Sequence, residues 1–414
     1  MIRRPQLNGD NDLSGIEKKL YLKELELTAL TEVTQAINAN LSEDQLYRIF
    51  HFTLISNLHI PKLALFVLDK DWNCKVSYNT RLDYKSVSLS QKIREINRTT
   101  LLHDVEQEFK EFNIVLPISH KSNVLAYVLV GGIENAEQYL QSATIPFIQT
   151  LASIIIVAIE NKKLVRRQLQ QEALRKELEI ARDVQSMLFP KKLPKNDQLT
   201  IRAFYLPHQS IGGDYYDYIA LDKDRFIICI GDVSGKGVPA ALLMSNVQAC
   251  LRTLVRQTTD LKEIIHELNY CILNNAKGER FITFFIACCN LATREINYIN
   301  AGHNPSILVS ENHEVMLLEK GTTVLGAFNK LPFIEENTIA IPDKSIHFTY
   351  TDGLTETNNK EGEEFGLDNV KNIVSRNFSQ DPDTLHELIR SKLDEYRGSE
   401  SLADDITFLS CSFS

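Results

Sequence analysis

The sequence predicts an α+β protein with two domains joined by a helical segment. Apolar runs of strand length alternate with helical patterns on both sides of Glu160–Leu188, and that segment consists of good helix formers without Gly or Pro. The 414 residues suffice for two or three domains of about 100–200 residues each. We therefore expect a flexible N-terminus over 1–20, a first domain over 21–160, a helical linker over 161–189 and a second domain over 190–414.

The composition predicts a soluble, cytoplasmic protein. Apolar residues make up 43% of the chain and charged residues 24%, as in globular proteins. The net charge of -9 provides no overall basic surface for nucleic acid. The seven cysteines form no CxxC pair and no metal-ligand spacing, so we expect free thiols in a reducing compartment.

The first domain opens with two predicted helices that divide at Asn40–Leu41, where Ser42 is a suitable N-cap. A third helix over 136–160 closes it. The apolar stretch 145–159 within that helix is interrupted by polar residues and is shorter than the roughly 20 residues of a membrane span, so we expect a buried helix and no span. The strand-like runs between the helices are LALFVL 63–68, CKVSY 74–78, NIVLPIS 113–119 and VLAYVLVGG 124–132.

The linker predicts a short parallel coiled coil between two copies of the chain. The residues Leu174, Leu178, Ala181 and Leu188 fall on the a and d positions of one heptad register, and Pro190 ends the helix. The seam is imperfect upstream, so a single amphipathic connector is the alternative.

Strands dominate the second domain. One helix is predicted to begin at Pro239, and another carries Leu261, Ile264, Ile265 and Leu268 on one face. The strand-like runs are RFIICI 225–230, FITFFIACC 281–289, EINYINA 295–301, SIHFTY 345–350 and DITFLSCSF 405–413.

The glycine-rich stretch GDVSGKGVPAALLMS (231–245) raises the question of a phosphate-binding loop. A P-loop requires a glycine five residues before Gly235 and a hydroxyl residue after Lys236, and these positions hold Ile230 and Gly237. The ATPase interpretation therefore fails on two counts.

Aspartates at strand ends point to a metal site instead. Asp214, Asp232, Asp352 and Asp404 each lie where an apolar strand meets a turn, three of them beside glycines. Carboxylates that converge in one place repel each other unless cations neutralise them. Oxygen ligands without His or Cys favour Mg²⁺ or Mn²⁺ over zinc, and two such ions can activate a water against a phosphoryl group.

The motifs GGDYYD, GDVSGKGVPAALLMS, NAGHNP, YTDGLTE and DDITFL, in this order, resemble the bacterial SpoIIE-like branch of the metal-dependent (PPM, type 2C-like) protein phosphatases over residues 175–414. The resemblance implies an α-β-β-α sandwich and two Mn²⁺ or Mg²⁺ ions. It implies that Asp232 bridges both ions, that the Val233 carbonyl and Asp214 serve one, and that Asp352 and Asp404 hold the other.

The resemblance leaves four nearby residues with open roles. Asp217 and Asp405 are expected to support the site rather than bind metal, Lys236 to contact substrate phosphate or only solvent, and His303 to be structural rather than a general acid. Gly213, Gly231 and Gly353 are expected to serve backbone conformation.

The implied activity is hydrolysis of phosphoserine or phosphothreonine in a protein by a metal-bridging water. By analogy with the family, the substrate would be a phosphorylated anti-sigma-factor antagonist. A non-catalytic pseudophosphatase that holds a phosphoprotein is the alternative, while acidity argues against a two-metal nuclease.

Residues 21–160 resemble a GAF sensory domain, on the opening helix pair, LALFVLD and FNIVLPISHKSNVLAYVLVGG. The resemblance implies a small-molecule ligand or a role in forming a homodimer. The order of sensor, helix and phosphatase predicts regulation through the linker.

Overall fold

The computed structural model describes residues 10–103, 105–121, 123–276 and 278–414, without the side chains of 10–19, 21 and 22. The chain divides into two compact units, Met1–Glu172 and Ala173–Ser414.

The N-terminal unit is a five-stranded antiparallel sheet with strand order β2-β1-β5-β4-β3. On one face, Leu65 and Leu116 of the sheet pack in one buried cluster with helix residues such as Ile155. The other face carries an aromatic cluster that includes Phe66 and Tyr127. The elements are α1 (Asp10–Asn38), α2 (Glu43–Phe52), β1 (Lys62–Leu68), β2 (Trp72–Tyr78), α3 (Gln91–Arg94), β3 (Thr100–Leu101), β4 (Phe112–His120), β5 (Asn123–Gly131), α4 (Ala136–Leu140) and α5 (Thr144–Ser186).

Two expectations for this unit need correction. Residues 10–20, expected to be a flexible terminus, belong to α1, and residues 1–9 lie outside the described residues. The closing helix and the linker are one helix, α5, because no Gly or Pro interrupts the chain after Pro146 at its start. The predicted N-cap is confirmed: Ser42 and Gln45 form a reciprocal capping box at the start of α2.

Within the described residues, α5 alone is long and apolar enough to cross a membrane by length and composition. Its apolar half is buried in the core of the N-terminal unit, where Ile148, Leu151 and Ile155 are fully covered. The core helix of a globular domain passes the same test, so the observation is weak evidence for a membrane span.

The C-terminal unit consists of two sheets packed face to face. The first has six strands in the order β13-β10-β9-β8-β7, with β14 also paired to β10, and the second has the order β12-β11-β15-β16-β6. Side chains of both sheets form one core cluster, which includes Ile228 and Phe285 from the first and Leu409 from the second. The helices α6 and α7 cover the outer face of the first sheet, and α9 and α10 cover that of the second. The predicted four-layer α-β-β-α sandwich is therefore present.

The elements of this unit are β6 (Leu199–Leu206), β7 (Tyr215–Ala220), β8 (Arg225–Val233), α6 (Val238–Leu254), α7 (Leu261–Ala276), β9 (Ile282–Asn290), β10 (Glu295–Ala301), β11 (Ser306–Val309), β12 (Val315–Leu318), β13 (Gly321–Thr322), β14 (Asn337–Ala340), β15 (Ser345–Tyr350), α8 (Asp352–Thr355), α9 (Gly366–Arg376), α10 (Pro382–Arg397) and β16 (Ile406–Phe413).

The expectation that all cysteines are free thiols is wrong for one pair. Cys250 on α6 and Cys271 on α7 are joined as a disulfide, because the two helices pack side by side. The other five cysteines are free.

Candidate metal centre

The four predicted carboxylates meet at one edge of the sandwich, two from each sheet. Asp214 precedes β7 and Asp232 lies near the end of β8, whereas Asp352 follows β15 and Asp404 precedes β16. Asp232 lies beside Asp214 and faces the charges of Asp352 and Asp404. Burial, and then repulsion from Asp352 and Asp404, raises the pKa of Asp232 to about 7. The sequence prediction that these residues converge is therefore consistent with the fold.

Asp214 is the most deeply buried of the four, with 1% of its surface exposed. Its Oδ2 atom accepts hydrogen bonds from the hydroxyls of Thr351, at 2.8 Å, and Thr407. Burial and the neighbouring Asp232 raise its pKa well above the usual value. Neighbouring buried carboxylates repel each other when both are ionised, and a cation would relieve that repulsion.

Asp352 and Asp404 form the other half of the cluster. Burial and the charge of Asp404 raise the pKa of Asp352. The ammonium group of Lys236 lies 2.9 Å from Asp404 Oδ2 and also donates to the Ala403 carbonyl. Lys236 thus contacts the carboxylate cluster itself in this structure.

Two glycines permit the close approach of backbone at this edge. A Cβ atom on Gly213 would lie 3.0 Å from the Val233 carbonyl oxygen, and one on Gly353 would lie 2.0 Å from the Asp405 carbonyl oxygen. Any side chain at either position would push the neighbouring strand away. The Val233 carbonyl is accordingly close to the loop that carries Asp214.

Asp405 and Asp217 have structural partners. Asp405 accepts hydrogen bonds from the backbone N–H groups of His208 and Gly213, both at 2.7 Å, and so holds the loop before β7. Asp217 is fully buried and forms a two-pronged ion pair with Arg252 of α6, at 2.8 and 2.9 Å. Both carboxylates are thus engaged by other groups of the protein, and their expected supporting role at the site stays a prediction.

His303 is buried beside the cluster-bearing strands. Its Nδ1 atom lies 2.9 Å from the Thr283 hydroxyl, and Thr283 pairs in register with Asp232. Burial lowers the pKa of His303 to about 4, so the ring is neutral near pH 7.

Sequence reasoning missed Gln185, which is 5% exposed near the end of α5. Its side-chain amide donates to the Gly212 carbonyl at 2.7 Å and accepts from the Gly212 N–H at 3.3 Å. Gly212 lies two residues before Asp214. The sequence offered one signal, a polar residue between the apolar Val184 and Leu188 of the linker. It could not show the partner of this residue, which lies 27 residues further along the chain.

The oxygen ligands of this site suit a hard divalent cation, because they belong to buried carboxylates whose mutual repulsion a cation would relieve. As the side chains stand, however, no three His, Cys, Asp or Glu residues of the described ranges are arranged to hold a metal ion.

The C-terminal unit is similar to known proteins in sequence and in fold. Residues 222–414 match the family model described as Stage II sporulation protein E (SpoIIE). The chain is 32% identical to the phosphoserine phosphatase RsbU of Bacillus subtilis (strain 168) over 198 residues, 47% of this chain and 58% of that protein. It is 29% identical to the protein IcfG of Synechocystis sp. over 285 residues, 62% of this chain and 44% of that protein. The chain thus spans about half the length of the curated relatives it matches.

The fold has a solved counterpart in the SiaA-PP2C domain of Pseudomonas aeruginosa. The TM-score is 0.53 at 20% identity, and the match covers 59% of this chain and 99% of the SiaA domain. The family model includes Asp232, Val233, Asp352 and Asp404 but begins after Asp214. Residues 222–414 are thus similar in sequence to the SpoIIE family, on a fold similar to that of the SiaA-PP2C domain.

Proposed function

We propose that the protein is a metal-dependent serine/threonine phosphatase that acts on a phosphorylated protein. The observation that carries the proposal is the meeting of four carboxylates from two sheets at one edge, within a SpoIIE-type domain. RsbU is named a phosphoserine phosphatase, which supports the phosphate ester of phosphoserine as the bond that is cleaved. A phosphorylated anti-sigma-factor antagonist is the substrate we favour.

Asp214, Asp232, Asp352, Asp404 and the Val233 carbonyl would hold two Mn²⁺ or Mg²⁺ ions. When bound, the ions supply positive charge for the phosphoryl group and an activated water. The residues of this chain hold the carboxylates in place and keep them desolvated. Thr351 and Thr407 fix the side chain of Asp214, and Asp405 fixes its loop.

The test is the Asp232→Asn variant. We expect a loss of at least 100-fold in Mn²⁺-dependent phosphate release, about 3 kcal/mol of transition-state stabilisation, because one side chain would serve both ions. The matched control is Asp222→Asn in the exposed turn before β8, which should keep normal activity. Near-normal turnover of Asp232→Asn on a phosphoprotein would contradict the proposal.

A non-catalytic phosphoprotein-binding role is the second candidate. It is favoured by the ion pair between Lys236 and Asp404 and by the lack of a ready-made metal cage within the described residues. Release of phosphate from a generic aryl phosphate with Mn²⁺, and none without it, separates the two candidates.

We further propose that α5 regulates the C-terminal unit. The bidentate contact of Gln185 with Gly212 supports this, because it joins the helix to the loop of Asp214. The five-stranded sheet covered by helices on one face supports a GAF-like sensory role for the N-terminal unit, with or without a small-molecule ligand.

We also propose that two copies pair through α5 as a parallel coiled coil in the cytoplasm. This helix exposes six large apolar side chains, which water disfavours and a second copy would cover. They are Leu164, Val165, Leu169, Leu174, Ile180 and Val184.

A further inference from the structure

Cys250 and Cys271 lie opposite each other in a surface groove between α6 and α7. The groove has a volume of about 560 Å³, and Tyr270 and Asn275 also line it. The Asn275 side-chain amide donates to the Cys271 sulfur at 3.5 Å. Both cysteines are half-buried, so small solutes reach them.

The other cysteines lack a comparable arrangement. Cys74, Cys229, Cys289 and Cys411 are buried, and burial raises the pKa of each thiol, which disfavours the reactive thiolate. Cys288 is half-buried but is free of any disulfide. Within the described residues, Cys250 and Cys271 are therefore the cysteines that are both accessible to small solutes and paired with each other.

The Cα atoms of Cys250 and Cys271 are 7.3 Å apart. Disulfides usually join Cα atoms about 4.4–6.8 Å apart, so the closed bond in this structure holds the two helices at slightly more than the usual separation. Opening the bond releases that constraint.

Both helices are attached to the loop that follows Asp232. Helix α6 begins at Val238, directly after this loop. The segment after α7 holds Ser234 by three hydrogen bonds: Arg280 Nη1 to the Ser234 carbonyl at 2.7 Å, the Phe281 N–H to Ser234 Oγ at 3.0 Å, and the Ser234 N–H to the Phe281 carbonyl at 2.9 Å. A change in the spacing of α6 and α7 therefore acts on this loop from both sides.

We propose that Cys250 and Cys271 are a peroxide-sensitive thiol pair whose oxidation clamps α6 to α7 and shifts the loop after Asp232. One thiolate attacks hydrogen peroxide, breaks the O–O bond and becomes a sulfenic acid with release of hydroxide. The second thiolate attacks the sulfenic sulfur, forms the S–S bond and expels a second hydroxide. The two thiols lose two electrons and two protons, and the peroxide leaves as two waters.

The test uses the full chain, reduced with dithiothreitol, freed of reductant and divided into untreated and peroxide-treated samples. Peptide mass spectrometry should find a Cys250–Cys271 cross-link in the treated sample, with Tm higher by about 5 °C than in the reduced one. Cys288→Ser should retain both effects, and Cys250→Ser should lose both. Absence of the cross-link, or the same rise in Tm in Cys250→Ser, would overturn the proposal.

Calorimetric titration with Mn²⁺ tests the shift of the loop and rests on the proposed function. We expect the Kd of the oxidised and reduced chains to differ by about twofold or more, and not to differ in Cys250→Ser. Equal Kd values in the two forms would overturn the coupling. A chain that binds no Mn²⁺ in either form would contradict the proposed function, while the cross-link stands on mass spectrometry and Tm.

Discussion

Gln185 and Gly212 are joined by two hydrogen bonds, one in each direction, between a helix side chain and the backbone of a loop. The next residue of the loop, Gly213, donates its N–H to Asp405, and Asp214 follows. These contacts connect α5 at Gln185 to the backbone two residues before Asp214.

We expect Gln185→Ala to weaken Mn²⁺ binding by about fivefold, because loss of buried hydrogen bonds costs about 1 kcal/mol and loosens the loop. Isothermal titration calorimetry measures the Kd. Gln171→Ala, at an exposed position on the same helix, is the matched control and should bind as the wild type does. Identical affinities for both variants would remove Gln185 from the regulatory path.

Lys236→Ala should strengthen Mn²⁺ binding by about threefold. The ammonium group competes with the metal for Asp404, but both side chains are partly exposed, so solvent screens the ion pair and its contribution is small. The control is Lys223→Ala, in the exposed turn before β8. If Lys236→Ala instead leaves the Kd unchanged and raises KM for a phosphoprotein, the lysine contacts substrate phosphate.

Arg252→Ala should destabilise the C-terminal unit by about 3 kcal/mol, because Asp217 is then a buried charge without its partner. Urea unfolding measures the loss. Arg256→Ala, an exposed arginine on the turn after α6, should cost less than about 0.5 kcal/mol. A double variant Asp217→Asn/Arg252→Ala that is more stable than Arg252→Ala would confirm that the unpaired charge causes the loss.

His347 should make the C-terminal unit sensitive to acid. Its ring stacks on Phe285 and neither ring nitrogen has a hydrogen-bond partner, and burial lowers its pKa from 6.5 to about 4. In the unfolded chain His347 binds a proton below about pH 6.5, whereas in the folded chain it does so only below about pH 4. The stability that the neutral ring contributes is therefore present above pH 6.5 and is lost as the pH falls from 6.5 to 4.

We expect His347→Phe to reduce the loss of stability between pH 6.5 and 4 by on the order of 3 kcal/mol, as measured by urea unfolding across this range. His266→Phe, at an exposed position on α7, should leave the pH profile as it is. An unaltered profile in His347→Phe would assign the acid sensitivity to other groups.

The central strands were predictable because apolar runs leave few alternatives. EINYINA and SIHFTY coincide with β10 and β15 end to end, and both strands have neighbours on each side. The strands β6 and β7 were not predicted. Each lies at the edge of its sheet, where alternate polar residues such as Arg202 and Asp217 are tolerated and obscure the apolar pattern.

The candidate carboxylates were predictable because each stands at a strand end beside a turn. Their supports were not, since Thr351, Thr407 and Gln185 contact the site through the tertiary fold. The pairing of Cys250 with Cys271 was missed for the same reason, because only the packing of α6 against α7 brings the two together. Such tertiary contacts cannot be deduced from the spacing of residues along the chain.

The origin of the acidic residues in two different sheets has a mechanical consequence. Asp214 and Asp232 belong to one layer of the sandwich and Asp352 and Asp404 to the other. Their mutual repulsion therefore opposes the contact of the two sheets at this edge, while the apolar interior holds the sheets together elsewhere. A cation bound among them would relieve this repulsion, so the same four side chains would influence both the stability of the sandwich at this edge and what it can bind.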